Sequence, residues 1–311
     1  MSESGLPESA DQFAPLASGT TICFRDHGAK TDPAILLVAG LGEDLTFWGE
    51  SFVRSLVSHG YRVITMDNRD VGQSTFVATK PPAIWRQVLA RPRKGAYSLS
   101  DMAADCVGLL DHLGIDRVHL VGRSMGGMIA QTIAATQPQR VLSLTSMYST
   151  TGSKKVGQPA KSTIWLLVMA PVAKTRTDAV RAHLRLTRHI AGTGYPMDDA
   201  EEAAIAARGW DRSAGDPAAG SARQIEAIQR SGDRTAQLGM ITAPTLVING
   251  DRDLLVAPSG GVATVKAIRS AQHVVIPGMG HHLPESLVDP ITRYVSQHAD
   301  RVNGGHHVEI S

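Results

Sequence analysis

The sequence has little cysteine and almost no excess of charge. Its 311 residues include two cysteines, Cys23 and Cys106, which cannot form a disulfide scaffold and are expected to be small core residues in a reducing compartment. The 31 basic and 29 acidic residues leave a net charge of +2. Because no basic stripe and no amphipathic cationic helix is present, neither nucleic acid nor a membrane surface is expected as a partner.

The sequence also has no apolar run of membrane-spanning length. The longest run, residues 164–173, is short and contains Pro171. The first 20 residues are polar and acidic, and they lack the basic start and apolar centre of a secretory signal. These absences predict a cytoplasmic protein, while the apolar content of 42% is enough for a sizeable core.

The stretch 117–135 is the most informative part of the chain. It reads RVHLVGRSMGGMIAQTIAA and predicts a buried strand, a sharp turn and a helix. The turn carries Gly-x-Ser-x-Gly, in which Gly122 and Gly126 leave room for the backbone to close and Ser124 stands at the tip. Since the N–H groups of a helix start favour negative charge, this position suits a serine that attacks a carbonyl carbon.

Strand and helix patterns alternate along most of the chain, which predicts an α/β fold with a mostly parallel sheet flanked by helices. Residues 20–150 and 238–300 are expected to form this core. Residues 151–237 contain helical patterns without a strong strand and are predicted to be a helical cap inserted into the core. Residues 1–19 and 301–311 are expected to be a flexible leader and a flexible tail.

Reactive side chains follow two further predicted strands. Asp251 and Asp253 come after one strand, and His281 and His282 come after the next. Parallel strands end at one edge of a sheet, so these residues are expected near Ser124. The order Ser, acid, His is that of a nucleophile, a carboxylate and a general base on such a sheet. The residues alone leave open which Asp and which His take part.

These motifs resemble those of the α/β-hydrolases, and the resemblance covers residues 20–298. The segments that carry it are 67–74, 122–127, 250–253 and 280–281. Segments 192–199 and 276–281 are similar to the aclacinomycin methylesterase-like branch of serine esterases. The resemblance implies an α/β-hydrolase fold with a helical cap.

The resemblance also implies roles for individual residues. The Gly-x-x-Asp pattern places the acid at Asp253, and the Gly-His pattern places the base at His281. The oxyanion hole is expected from the backbone N–H of Met125, next to the nucleophile, and by family analogy from that of Leu41. The family often has His-Gly before this second donor, whereas this chain has Ala39-Gly40, which removes a side chain that often braces the loop.

The predicted function is hydrolysis of a carboxylic ester, such as a methyl ester or an ester with an apolar or aromatic acyl part, through an acyl-enzyme. The same triad also suits a lactone, a thioester, a C–C bond beside a ketone or perhydrolysis without a cofactor. A ligand sensor with a vestigial triad is a third hypothesis. A small-molecule ester is the expected partner, and no cofactor or metal is predicted, because no histidine pair has a convincing ligand spacing.

Five residues are predicted to contact substrate. Arg123 could bind a substrate carboxylate or pair with a nearby acid. The apolar residues could line an acyl pocket or pack the cap on the core. The candidates are Trp48, Arg123, Trp165, Met169 and Trp210.

Two groups of polar residues are expected to be structural or peripheral. Arg69, Asp70 and Gly72 are interpreted as turn residues, because a nucleophilic Asp would belong at the position of Ser124. His183 and His298 are among the histidines expected at the surface.

Overall fold

One mixed sheet organises the protein. A computed structural model describes residues 9–304, which contain eight strands and eleven α-helices. The strands are β1 (Gln12–Pro15), β2 (Thr21–His27), β3 (Ala34–Val38), β4 (Arg62–Met66), β5 (Val118–Arg123), β6 (Val141–Met147), β7 (Thr245–Gly250) and β8 (Ala271–Ile276). The α-helices are α1 (Glu50–Ser58), α2 (Ile84–Val88), α3 (Leu99–His112), α4 (Met125–Thr136), α5 (Lys161–Val168), α6 (Arg176–Ile190), α7 (Asp199–Arg212), α8 (Pro217–Ser231), α9 (Thr235–Leu238), α10 (Ser259–Ala267) and α11 (Val288–Val302).

The strands lie in the order β1-β2-β4-β3-β5-β6-β7-β8. The β1–β2 and β2–β4 pairs are antiparallel, and the pairs from β4 to β8 are parallel. Every residue of β3, β4, β5 and β7 is buried, as expected for parallel strands covered on both faces. The parallel strands end at a common edge, and the loops after β5, β7 and β8 therefore meet there.

Helices cover both faces of the sheet. Alternate residues of β3 show this, because Leu36 and Val38 pack in one apolar cluster and Ile35 and Leu37 pack in the other. The first cluster includes residues of α3 and α4, and the second includes residues of α1 and α11. No helix in residues 9–304 combines the length and the apolar character needed to cross a membrane.

The structure corrects two predicted boundaries. Strand β1 lies inside the predicted flexible leader and pairs with β2 at the sheet edge, so that prediction is wrong for Gln12–Pro15. Helix α11 extends to Val302, beyond the predicted start of the tail at residue 301. The parts of these two predictions that concern residues 1–8 and 305–311 lie outside the described residues.

Residues 151–237, called the cap below, hold α5 to α8 and most of α9. One guanidinium in the cap meets three core carboxylates. Arg212, at the end of α7, contacts Asp44 at 3.0 Å, Asp67 at 2.9 Å and Asp11 as well. Burial and the Asp44 carboxylate raise the pKa of Asp67 to about 6. At this contact the cap is joined to the core through charge, and Arg212 is the cation that pairs with the two buried carboxylates of Asp44 and Asp67.

A second buried ion pair joins the cap to the loop after β4. Arg223 of α8 binds both carboxylate oxygens of Asp70, with distances of 2.8 and 2.6 Å. Asp70 has a φ of 69°, as the predicted turn requires, and its side chain is fully buried. The turn residue thus also anchors the cap, a role that the sequence reasoning did not foresee.

We predict that Arg212→Leu lowers the free energy of unfolding by about 3–5 kcal/mol at pH 7, because it leaves buried carboxylates without a cation. Losing Arg212 raises the pKa of Asp67 further above its value of about 6 in the unaltered protein, so Asp67 protonates first in the variant, and the deficit is largest at alkaline pH and shrinks as the pH falls to about 6. Urea denaturation at several pH values measures both effects.

Arg176→Leu is the matched control, because Arg176 forms an exposed ion pair with Asp211. Its effect is expected below about 1 kcal/mol. An equally small loss for Arg212→Leu would contradict the assigned role of Arg212.

Candidate active site

Ser124 lies at a strained turn between β5 and α4. Its φ of 54° and ψ of −120° fall in a region that side chains rarely occupy, at a cost of about 1–3 kcal/mol. Its N–H donates to the Met147 carbonyl at 2.9 Å. A Cβ on Gly126 would lie 2.0 Å from the Val38 oxygen, and one on Gly122 would lie 2.3 Å from the Gly126 oxygen. Glycine at both positions is therefore what allows the turn to close.

Three side chains form a continuous hydrogen-bonded chain at this edge of the sheet. His281 Nε2 lies 2.9 Å from Ser124 Oγ, and His281 Nδ1 lies 2.7 Å from Asp253 Oδ2. The other carboxylate oxygen of Asp253 accepts the N–H groups of Leu255 and Val256, each at 2.8 Å. A carboxylate so held accepts the Nδ1–H of His281, which leaves Nε2 free to accept the serine proton.

The two rival residues lie elsewhere. Asp251 Oδ1 accepts the N–H of Gly278 and so shapes the loop after β8. His282 Nε2 is hydrogen-bonded to Glu202 Oε1 of α7 at 2.8 Å. The structure thus brings Ser124 together with Asp253 and His281, and it gives Asp251 and His282 other partners.

The two predicted oxyanion donors follow the paired strands β5 and β3. Met125 is the first residue of α4, and Leu41 belongs to the loop after β3. Among the described residues, neither of these N–H groups has a hydrogen-bond acceptor. The neighbouring Gly42 N–H donates to Gln224 Oε1 of α8 at 2.8 Å, and Gln224 is completely buried. The cap therefore contributes to the shape of the loop that carries the second donor.

An ion pair braces the same loop from the core side. Glu43 Oε2 accepts the Gly40 N–H at 2.7 Å and the Arg123 Nε–H at 2.7 Å. Burial favours a higher pKa for Glu43, but the charge and hydrogen bond of Arg123 outweigh it and lower the pKa. The sequence left two alternatives for Arg123, and in the structure Arg123 pairs with an acid, Glu43. The pair therefore braces the loop that carries Leu41, next to the position where the sequence has Ala39.

The other predicted substrate residues lie in different environments. Trp48 is buried in the core, with its ring beside Phe52 and the Arg123 guanidinium, and this favours a packing role. Trp165 and Met169, in and directly after α5, are 66% and 61% exposed. Trp210 of α7 is partly buried. No contact places these residues against Ser124, and their role as substrate contacts stays a prediction.

Several site residues were missed by the sequence reasoning. One sequence observation pointed to a residue such as Glu43, because pairing with a nearby acid was one of the two alternatives for Arg123. No sequence pattern pointed to Glu202 or Gln224. In the sequence they are ordinary polar residues of predicted helices, and their contacts arise only from the packing of the cap on the core. His183 and His298 were predicted at the surface, but His183 binds Glu202 and His298 is buried. Among residues 9–304, no group of three or more His, Cys, Asp or Glu side chains is arranged to hold a metal ion.

Comparison with known proteins agrees with this geometry. The model of the alpha/beta hydrolase fold family matches residues 33–286. The match spans well over half of the chain, and the protein belongs to this family. The predicted fold class and the prediction of an enzyme of the α/β-hydrolase class are thereby confirmed.

Individual relatives are similar over most of their length. Rhodomycin D methylesterase DnrP of Streptomyces peucetius is 27% identical, over 89% of this chain and 94% of that protein. The 3-oxoadipate enol-lactonase 1 of Acinetobacter baylyi is 27% identical, over 83% and 85%. The crystal structure of the enol-lactonase from Burkholderia xenovorans is 26% identical and has a TM-score of 0.69, covering 92% of this chain and 99% of that one. The likeness to DnrP agrees with the predicted methylesterase-like branch.

We predict that Gly126→Ala destabilises the protein by about 3 kcal/mol or more, because its Cβ would lie 2.0 Å from the Val38 carbonyl oxygen, within backbone that cannot move aside. The free energy of unfolding from urea titration measures the effect. Gly95→Ala is the control, since a Cβ there meets no atom within 4 Å. Equal stability of the two variants would contradict the close packing at the turn.

Proposed function

We propose that the protein is a serine hydrolase that cleaves a carboxylic ester through an acyl-enzyme intermediate. The observation that carries the proposal is the hydrogen-bonded chain from Ser124 through His281 to Asp253. A serine hydroxyl is a weak nucleophile, and it needs a base within hydrogen-bond distance and a carboxylate that orients the base. The partial exposure of Ser124 leaves its hydroxyl accessible to a substrate.

The proposed reaction has two stages. Ser124 Oγ attacks the ester carbonyl while His281 Nε2 takes the serine proton, and Asp253 stabilises the imidazolium that results. The tetrahedral intermediate collapses, and His281 protonates the leaving alkoxide, which departs as an alcohol. Water then loses a proton to His281 and attacks the acyl-enzyme, which releases the acid and restores Ser124. The mechanism uses side chains and backbone donors of this chain and draws on no cofactor.

The negative charge on the carbonyl oxygen requires preorganised donors. We assign this role to the N–H groups of Leu41 and Met125, which follow the paired strands β3 and β5 and are hydrogen-bonded to no described residue. Glu43 and Gln224 support the assignment, because they hold the N–H groups of Gly40 and Gly42 on either side of Leu41.

Carboxylic esters are the substrate class that the similarities favour. The names of the relatives describe a methylesterase and enol-lactonases, and a lactone is a cyclic ester. The exposed apolar side chains of Trp165 and Met169 are suited to an apolar or aromatic acyl part. Thioester or C–C bond hydrolysis and perhydrolysis use the same side chains, and a substrate panel of matched acyl groups separates them from ester and lactone hydrolysis.

We predict that Ser124→Ala lowers kcat on p-nitrophenyl esters by roughly four to six orders of magnitude, because no other group takes over nucleophilic attack. Ser270→Ala, an exposed serine outside the site, serves as the control and is expected to retain full activity. Near-normal turnover by Ser124→Ala would eliminate the mechanism.

Labelling with a fluorophosphonate probe separates catalysis from the sensor alternative. If Ser124 is reactive, the probe labels the unaltered protein at Ser124, and this labelling is absent from Ser124→Ala. Absence of labelling at Ser124 would favour ligand sensing.

We also predict that Glu43→Gln lowers kcat by about ten- to a hundredfold with little change in KM, less than the loss of a whole oxyanion donor. The substitution leaves the buried Arg123 without its counter-charge and loosens the Leu41 loop. Steady-state kinetics on a p-nitrophenyl ester measure the effect. Glu50→Gln, in an exposed pair with Arg54, is the control, and an unchanged kcat for Glu43→Gln would contradict the bracing role.

A further inference from the structure

A carboxylate in the cap is hydrogen-bonded to two histidines from different parts of the chain. Glu202 of α7 accepts from His183 Nε2 of α6 at 2.6 Å and from His282 Nε2, in the loop after β8, at 2.8 Å. Glu202 is 7% exposed, so the cluster is largely shielded from water. His282 directly follows His281, and Glu202 is therefore linked to the residue next to the proposed general base.

The hydrogen bonds of the cluster determine the charge of Glu202. Burial favours a higher pKa for Glu202, but the hydrogen bonds from His183 and His282 outweigh it and lower the pKa to about 2. Glu202 is thus ionised and can only accept hydrogen bonds, so each histidine donates its Nε2–H. The arrangement is directional and fixes the rings of both histidines.

The loop that carries His281 is also bonded to the end of α6. The His281 N–H donates to the Ile190 carbonyl at 2.7 Å, and the Gly280 N–H donates to the Ala191 carbonyl at 2.8 Å. The N–H groups of Thr193 and Gly194 donate to the Gly278 carbonyl. Because His183 lies on the helix that ends at Ile190, Glu202 holds this helix and the loop at once.

We propose that Glu202 is a positioning residue for the reaction: by holding His282 and His183, it keeps the loop that carries His281 at the distance from Ser124 that proton transfer requires. The inference rests on the proposed function of Ser124, His281 and Asp253. According to this proposal, contacts of the cap fix the position of the general base, and a displacement of α7 therefore also displaces His281. Proton transfer is sensitive to such displacements, since a shift of about 1 Å can cost about a hundredfold in rate.

The first test is Glu202→Ala, with kcat and KM measured on a p-nitrophenyl ester. We expect kcat to fall by about ten- to a hundredfold and KM to change by less than about twofold, because the base is displaced while the acyl site is not. Glu201→Ala is the matched control: it removes the adjacent carboxylate, which is exposed and accepts no hydrogen bond from a described residue. An unchanged kcat in the folded Glu202→Ala protein would overturn the proposal.

Substitutions at His282 distinguish positioning from simple stabilisation. The Gln side chain places its Nε2 donor close to the position of the His Nε2, so His282→Gln is expected to keep the bond to Glu202 and to retain kcat. His282→Ala is expected to reproduce the loss seen in Glu202→Ala. Equal rates for the Gln and Ala variants would contradict the proposal, and this comparison holds even where Glu202→Ala does not fold.

A spectroscopic readout tests the same point without turnover. The Nδ1–H of His281, held by Asp253, is expected to give a low-field proton NMR resonance in the unaltered protein, which broadens or shifts in His282→Ala but not in His282→Gln. An identical resonance in all three proteins would contradict the positioning role.

Fluorophosphonate labelling separates this inference from the function on which it rests. If Ser124 of the unaltered protein is not labelled, the proposed function fails. If Ser124 is labelled, and at the same rate in Glu202→Ala, the function stands and the positioning role of Glu202 is overturned. Slower labelling in Glu202→Ala, with the normal rate in Glu201→Ala, is the result that we expect.

Discussion

The strained turn at Ser124 is the constraint on which the rest of the site depends. A serine held at positive φ at the end of β5 presents its hydroxyl away from the sheet, and α4 starts at the next residue with N–H groups directed to the same point. This geometry exists only because Gly122 and Gly126 let β5, α4 and β3 approach within distances that no Cβ would allow. The proposed nucleophile and the proposed oxyanion donor at Met125 thus both depend on one close backbone contact.

The remaining site groups reach this point from loops that need external support. Asp253 and His281 follow β7 and β8, which lie parallel to β5 and β6 in the sheet and therefore end at the same edge as β5. Loops are less rigid than strands, and this protein holds these two loops with hydrogen-bonded contacts: Glu43 with Arg123 in the loop of the proposed oxyanion donor, and Glu202 with His282 beside the proposed base. The rigid sheet therefore sets the approximate positions of the loops, and these contacts set the final ones.

Much of the core could be predicted because its signals are local. Apolar runs such as β3 and β5 predict buried parallel strands, and the Gly-x-Ser-x-Gly turn needs its glycines within a few residues of the serine. The errors arose where long-range pairing decides. The edge strand β1 has a weak pattern of its own and is stabilised by its ladder with β2. His183 is only partly buried, and its hydrogen bond, which no local pattern indicates, is to a carboxylate 19 residues away on another helix.

By itself, the sequence determined the order of strands and helices, the turn at Ser124 and the set of reactive residues that follow strand ends, because each depends on neighbours along the chain. The family resemblance named Asp253 and His281, and the tertiary structure shows their hydrogen bonds to each other and to Ser124. Only the tertiary structure decided that Arg123 is paired with Glu43 and that the cap is bonded to the loop that carries His281. These choices depend on distances between segments far apart in sequence. Such distances are set by how helices pack on the sheet, and no local pattern encodes them.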